Sequence, residues 1–166
     1  MADIAASVLA KLRNKAKSSG ISYQQCLQLF VQEEFLRKLS KSGCEDNLIL
    51  KGGLFIYTLT NFESRATIDV DFLLRAASNS IDDVKALIIR ILNTPTDNDY
   101  ISMKAKKFEE ISPQRKYHGI STQIIAQIKM FVCRLMWILA SGVLSFPEPR
   151  NAKSIRSFRI LKLLSL

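Results

Sequence analysis

The sequence predicts an α+β domain in which a mixed β-sheet carries helices packed against it. Three observations lead there. Apolar residues repeat at helical spacing over two long N-terminal segments. Short apolar runs of strand length then alternate with further helical patterns. Gly, Pro and Asx residues fall between these segments as turn chemistry. The resulting order is helix, helix, strand, helix, strand, helix, strand, strand, which suits one mixed sheet with flanking helices. A length of 166 residues fits a single domain.

Taken in order, Ile4, Val8, Leu9 and Leu12 mark the first helix, with Lys15 and Lys17 near its end where cations complement the dipole. Gly20 is its stop. Ser22 followed by Gln25 opens the second helix as a capping box; Leu27, Phe30, Val31, Leu36 and Leu39 form its apolar positions and Gly43 closes it. Residues 47–51 read as a short buried strand, Gly52-Gly53 interrupts it, and a helix starts by Leu54. Residues 67–74 read as a strand. Ser80 with Asp83 caps a helix whose apolar face is Ile81, Val84, Leu87, Ile88 and Ile91. Thr94-Pro95 and Asp97-Asn98 make a turn, and residues 100–106 and 119–128 form the last two expected strands.

Composition excludes several classes. With 48% hydrophobic and 23% charged residues, the chain is not disordered throughout. Three cysteines without a CxxC, and one histidine, argue against a disulfide scaffold or a zinc site and point to a reducing cytoplasm. The uncharged run from Leu135 to Pro147 is 13 residues, short of the ~20 a membrane span needs, and no export signal is read at the N-terminus. The net charge of +9 is uneven: residues 129–166 hold seven basic side chains and one acidic one. Such an excess suits polyanions.

Two elements could carry chemistry. Lys51-Gly52-Gly53 joins a strand to a helix, where unpaired backbone amides and a lysine suit phosphate. Asp69 and Asp71 lie two apart in an apolar strand, so they share the face opposite Ile68, Val70 and Phe72. Two adjacent carboxylates are best tolerated around a hard cation such as Mg²⁺ or Mn²⁺. Each element alone is also an ordinary turn or a solvated strand face. A glycine pair at a helix start followed by an Asp-x-Asp strand is the build of a nucleotidyltransferase-type site. His118 reads as a surface loop residue, Lys104, Lys106 and Lys107 as a solvated face or an acceptor-RNA groove, and Trp137 has no assignable role.

Residues 48–75, from Leu-Ile-Leu-Lys51-Gly52-Gly53 to Arg65-Ala-Thr67-Ile-Asp69-Val-Asp71-Phe-Leu-Leu-Arg75, resemble the signature of the nucleotidyltransferase toxins of the AbiEii/AbiGii type. The segment Phe35 to Ser40 and the stretch from Tyr117-His118-Gly119 are similar to that family's flanking sequence, so the resemblance covers roughly residues 8–129. It implies a minimal nucleotidyltransferase-like fold and a bacterial toxin of a toxin–antitoxin or abortive-infection pair. It implies transfer of a nucleoside monophosphate from a nucleoside triphosphate to an RNA (tRNA) or protein acceptor, with Mg²⁺ or Mn²⁺ bound and an antitoxin as partner. By position, Gly52 and Gly53 would contact phosphates beside Lys51. Asp69 and Asp71 would be the catalytic, metal-binding pair, and Arg65 a phosphate or strand-positioning cation.

The resemblance stops in a specific place. The family presents a third aspartate on a neighbouring strand, yet no acid occurs here between Glu110 and Glu148. Met136-Trp137-Ile138 is encoded ATG TGG ATN, and a shifted reading of those bases must contain GTG GAT, Val-Asp. Upstream codons permit Arg-Val-Pro-Phe-Asn before it, a string similar to the family's third-aspartate strand. The expectation is a nucleotidyltransferase-like domain over residues 1–129 (helices within 3–43, core 47–129), truncated or frameshifted near Met130. Residues 130–166 would then be an atypical basic and apolar tail, poorly ordered and not packed on an incomplete sheet, and the enzyme impaired. The alternatives are an inactive module that binds nucleotide or antitoxin, and a basic RNA-binding protein with no nucleotide site.

Overall fold

A computed structural model of the chain describes residues 3–59, 70–75, 78, 80–111 and 119–141. The elements are α1 (Ile4–Ser19), α2 (Tyr23–Lys41), β1 (Leu48–Lys51), α3 (Gly52–Leu59), β2 (Val70–Leu74), α4 (Ile81–Asn93), β3 (Ile101–Ile111), β4 (Gly119–Ile128) and β5 (Phe131–Ser141). This is the expected α+β architecture with one strand added. The caps form as the sequence implies. Ser22 Oγ accepts from the Gln25 amide at 3.1 Å, and Ser80 Oγ accepts from the Asp83 amide at 3.2 Å while donating to Asp83 Oδ2 at 2.7 Å. No helix among the described residues is long and apolar enough to cross a membrane.

The sheet has the order β1-β2-β5-β4-β3. Only β2 and β5 run parallel; the other three pairings are antiparallel. Strand alternation then sorts the side chains into two faces. Leu48, Leu50, Val70, Phe72, Leu74, Ile120, Ile124, Leu135, Trp137 and Leu139 are buried in the core that the helices share. The other parity, including Lys51, Asp71, Gln123, Arg134, Met136 and Ile138, is exposed or half-buried.

The chain does not leave the sheet at residue 129. After a two-residue turn, where Lys129 has φ 52°, it returns as β5 and inserts between β2 and β4. Residues 131–141 are thus a sheet strand rather than the unpacked tail expected for them; residues 142–166 lie outside the described residues. The physical reason is the alternation of Cys133, Leu135, Trp137 and Leu139 with Arg134, Met136 and Ile138, which matches a half-buried strand. Trp137 is fully buried, with its ring centroid 3.9 Å from that of Phe35 and 6.3 Å from that of Phe72. Its indole N–H and the hydroxyl of its cross-strand partner Thr122 are both buried without a hydrogen-bond partner among the described residues.

Helix α2 is covered on most sides and carries a polar network inward. Glu34, fully buried, accepts from Arg37 Nη1 at 2.6 Å, Thr96 Oγ1 at 2.5 Å and Asn98 Nδ2 at 2.5 Å. Arg37 also reaches Glu33 at 2.8 Å, Lys38 donates to the Thr94 carbonyl at 2.7 Å, and Tyr100 donates to Asn98 at 3.0 Å. The turn between α4 and β3 is clamped to α2 by these bonds.

Candidate active site

The register of the sheet builds the candidate site. β1 ends at Lys51, and Lys51 is the cross-strand partner of Asp71. The chain turns at once into α3, whose first residue Gly52 has φ 70°. That left-handed conformation is costly for residues with a Cβ. Space gives a second reason for glycine. A Cβ at residue 52 would lie 3.1 Å from the Asp71 carboxyl carbon and closer still to Oδ2. The Asp71 carboxylate therefore packs directly on the turn that begins α3. Gly53 follows in the first helical turn, where amides lack intrahelical acceptors.

Electrostatics at this point are unspent. Asp71 and Lys51 are both half-buried, and neither makes a hydrogen bond or ion pair with another described residue. On its other side Asp71 is paired in parallel with Ile138, which is 37% exposed on the same face. The shifted-frame Asp codon noted in the sequence takes its last two bases from the codon of Ile138, the residue that stands beside Asp71. No spacing rule within the protein sequence marks residue 138, because the pairing of β2 with β5 spans 67 positions.

Lys51, Gly52, Gly53 and Asp71 are brought together. Asp69 and Arg65 lie outside the described residues, as does His118. Among the described residues no group of three His, Cys, Asp or Glu side chains is placed to hold a metal. Lys104, Lys106 and Lys107 are exposed on β3, and Lys107 pairs with Glu109 at 2.6 Å. The three cysteines are buried and free. Burial pushes the Cys133 thiol up to about 11 and raises that of Cys26, which leaves both protonated and poorly nucleophilic at neutral pH.

Neither the curated proteins nor the solved structures give a match to the chain. A family model does: the one described as "Nucleotidyl transferase AbiEii toxin, Type IV TA system" matches residues 34–139. The matched segment runs from Glu34 of α2 through the turn at Gly52, Asp71 and the whole of β3 and β4 into β5, ending one residue past Ile138, and it takes in more than half of the chain. The chain belongs to the AbiEii nucleotidyl transferase toxin family of type IV toxin–antitoxin systems.

Proposed function

We propose that this chain binds a nucleoside triphosphate at the β1–α3 turn and directs transfer of its nucleoside monophosphate to an acceptor, with RNA such as tRNA favoured over protein by the basic charge. The observation that carries the reading is the packing of Asp71 on Gly52. It sets a carboxylate without a partner among the described residues against a turn whose first residue has no side chain. The amides from Gly52 and Gly53 and the Lys51 ammonium would bind phosphate oxygens. Arg65 would add a second cation from a segment close in sequence. Family membership implies an antitoxin as genetic partner.

The donor set fits a hard divalent cation shared with the substrate. Mg²⁺ is commonly held by one or two carboxylates together with substrate phosphates, and Asp71 with Asp69 would supply those carboxylates. Once bound, Mg²⁺ or Mn²⁺ neutralises charge on the transferring phosphoryl group. The protein's own part is to fix the triphosphate against the turn and to orient it for the acceptor. Ile138 offers no oxygen beside Asp71, so the site is expected to bind nucleotide better than it turns over. That same residue favours a second reading, a nucleotide-binding module without transfer activity.

Incubation with radiolabelled nucleoside triphosphates, Mg²⁺ and total tRNA separates these readings. Weak labelling that Asp71→Ala abolishes supports transfer at this site. Nucleotide binding without labelling supports the second reading. Ile138→Asp is expected to raise transfer by about 10²-fold, the scale of one added charge-stabilising group. Labelling that survives Asp71→Ala rules the site out. No nucleotide binding at all, together with salt-sensitive RNA binding, leaves a basic RNA-binding protein.

A further inference from the structure

The face of the sheet that carries Asp71 has a charge pattern the nucleotide site does not use. Lys104 on β3 and Arg134 on β5 are both cross-strand partners of Ile125 on β4, so the three side chains form one row across the sheet. Both cations are exposed, and neither is paired with a described residue. Two strand spacings put them roughly 10 Å apart. The next row along the strands contains Gln123 and the row beyond Arg134 contains Gln127, both on this face and able to donate and accept hydrogen bonds. Four residues along β5 separate Arg134 from Ile138, the neighbour of Asp71, a distance of roughly 13 Å. The carboxylates here are few: Glu109 is tied to Lys107, and Asp71 sits at the far end.

We infer that this face is a track for a single-stranded polynucleotide, with Lys104 and Arg134 contacting phosphates and the strand leading toward Asp71. The inference rests on the nucleotidyltransferase reading for the purpose of the track, but the binding itself does not require it. Charge complementarity selects the occupant. The cations are uncommitted and set apart, as suits a spaced row of phosphates. The apolar side chains of the face include Val132, Met136 and Ile138 on β5 and the half-buried Ile125 on β4, and Arg134 stands among them. Aliphatic side chains set among cations are compatible with bases lying over them while phosphates meet Lys104 and Arg134.

The test is fluorescence anisotropy with a labelled mixed-sequence single-stranded RNA and the full chain, titrated across a salt series without nucleotide or metal. In the Lys104→Gln/Arg134→Gln double variant the slope of log K against log salt is expected to fall by about 1.4, two single-strand phosphate contacts at about 0.7 each. A control, Lys11→Gln/Lys85→Gln, removes two exposed cations from α1 and α4 and is expected to keep the wild-type slope. An unchanged slope in the face variant, or an equal fall in the control, overturns the inference. An unchanged slope together with self-association that Met136→Glu abolishes overturns it in favour of a face shared between copies of the chain. Nucleotide binding by the same variants is measured separately. Nucleotide bound with an unaffected RNA slope rejects the track and keeps the nucleotide site. A reduced slope with no nucleotide bound keeps the track and rejects the site.

Discussion

Two regions of this molecule hold acids beside cations, and they use them in opposite ways. At α2, Glu33, Glu34, Arg37 and Lys38 are buried or nearly so, and Glu34 has its charge answered by three donors. At the sheet face, Lys51 and Asp71 are register partners yet form no ion pair, and both remain half-buried. A buried carboxylate is tolerable only when fully satisfied. Its hydrogen bonds fix one geometry and leave nothing for a ligand. A half-buried carboxylate without partners keeps its lone pairs available. The contrast teaches that charge content alone does not nominate a candidate site; charge without a partner among the described residues, held by rigid elements, does.

Four substitutions or titrations test this contrast. Glu34→Ala has the largest expected effect, about 3–5 kcal/mol in urea denaturation, because it leaves Arg37 with Glu33 alone and takes the acceptor from Thr96 and Asn98. A loss below about 1 kcal/mol would mean the network is dispensable. Next, the buried thiol of Cys133 makes stability fall in alkali. Its contribution is intact below pH 9.0 and is lost as pH rises toward about 11, since the unfolded chain releases that proton first. The shift corresponds to about 2–3 kcal/mol, and Cys133→Ala should flatten that part of the pH–stability curve. Gly52→Ala follows at about 2 kcal/mol, the left-handed backbone term plus displacement of the Asp71 side chain. In a double-mutant cycle, Asp71→Ala should relieve the crowding and leave the backbone term. Smallest is Asp71→Asn, expected within about 0.5 kcal/mol of wild type by denaturation while abolishing Mg²⁺-dependent nucleotide binding by calorimetry. A large destabilisation there would assign Asp71 to the fold instead.

Much of the architecture was legible because it rests on local signals. Capping residues Ser22 and Ser80, the apolar period of α4 and the glycine after β1 each act within a few positions. So does the candidate turn at Lys51-Gly52-Gly53, whose tie to Asp71 needs only an antiparallel pairing of β1 with β2. What sequence reasoning missed is non-local. Residues 131–141 alternate as a strand should, but their basic composition and the absent acid drew the reading toward an unpacked tail. Trp137 had no visible role because Phe35 and Phe72, its ring neighbours, come from segments far apart in the chain. The burial of Glu34 was equally hidden: an acid in an amphipathic helix reads as solvated unless the turn at Thr96 and Asn98 is known to fold over it.

The last described strand to be made is the middle strand of the sheet. A nascent chain that has emerged only through Ile128 therefore owns two separate ribbons, β1 with β2 and β3 with β4, each with a bare inner edge. Unpaired edges invite pairing with the wrong neighbour. Synthesis of the segment from Phe131 to Ser141 is the event that can join the ribbons, so productive folding on the ribosome waits for it, and a translational pause just before that segment would lengthen the interval in which mispairing competes.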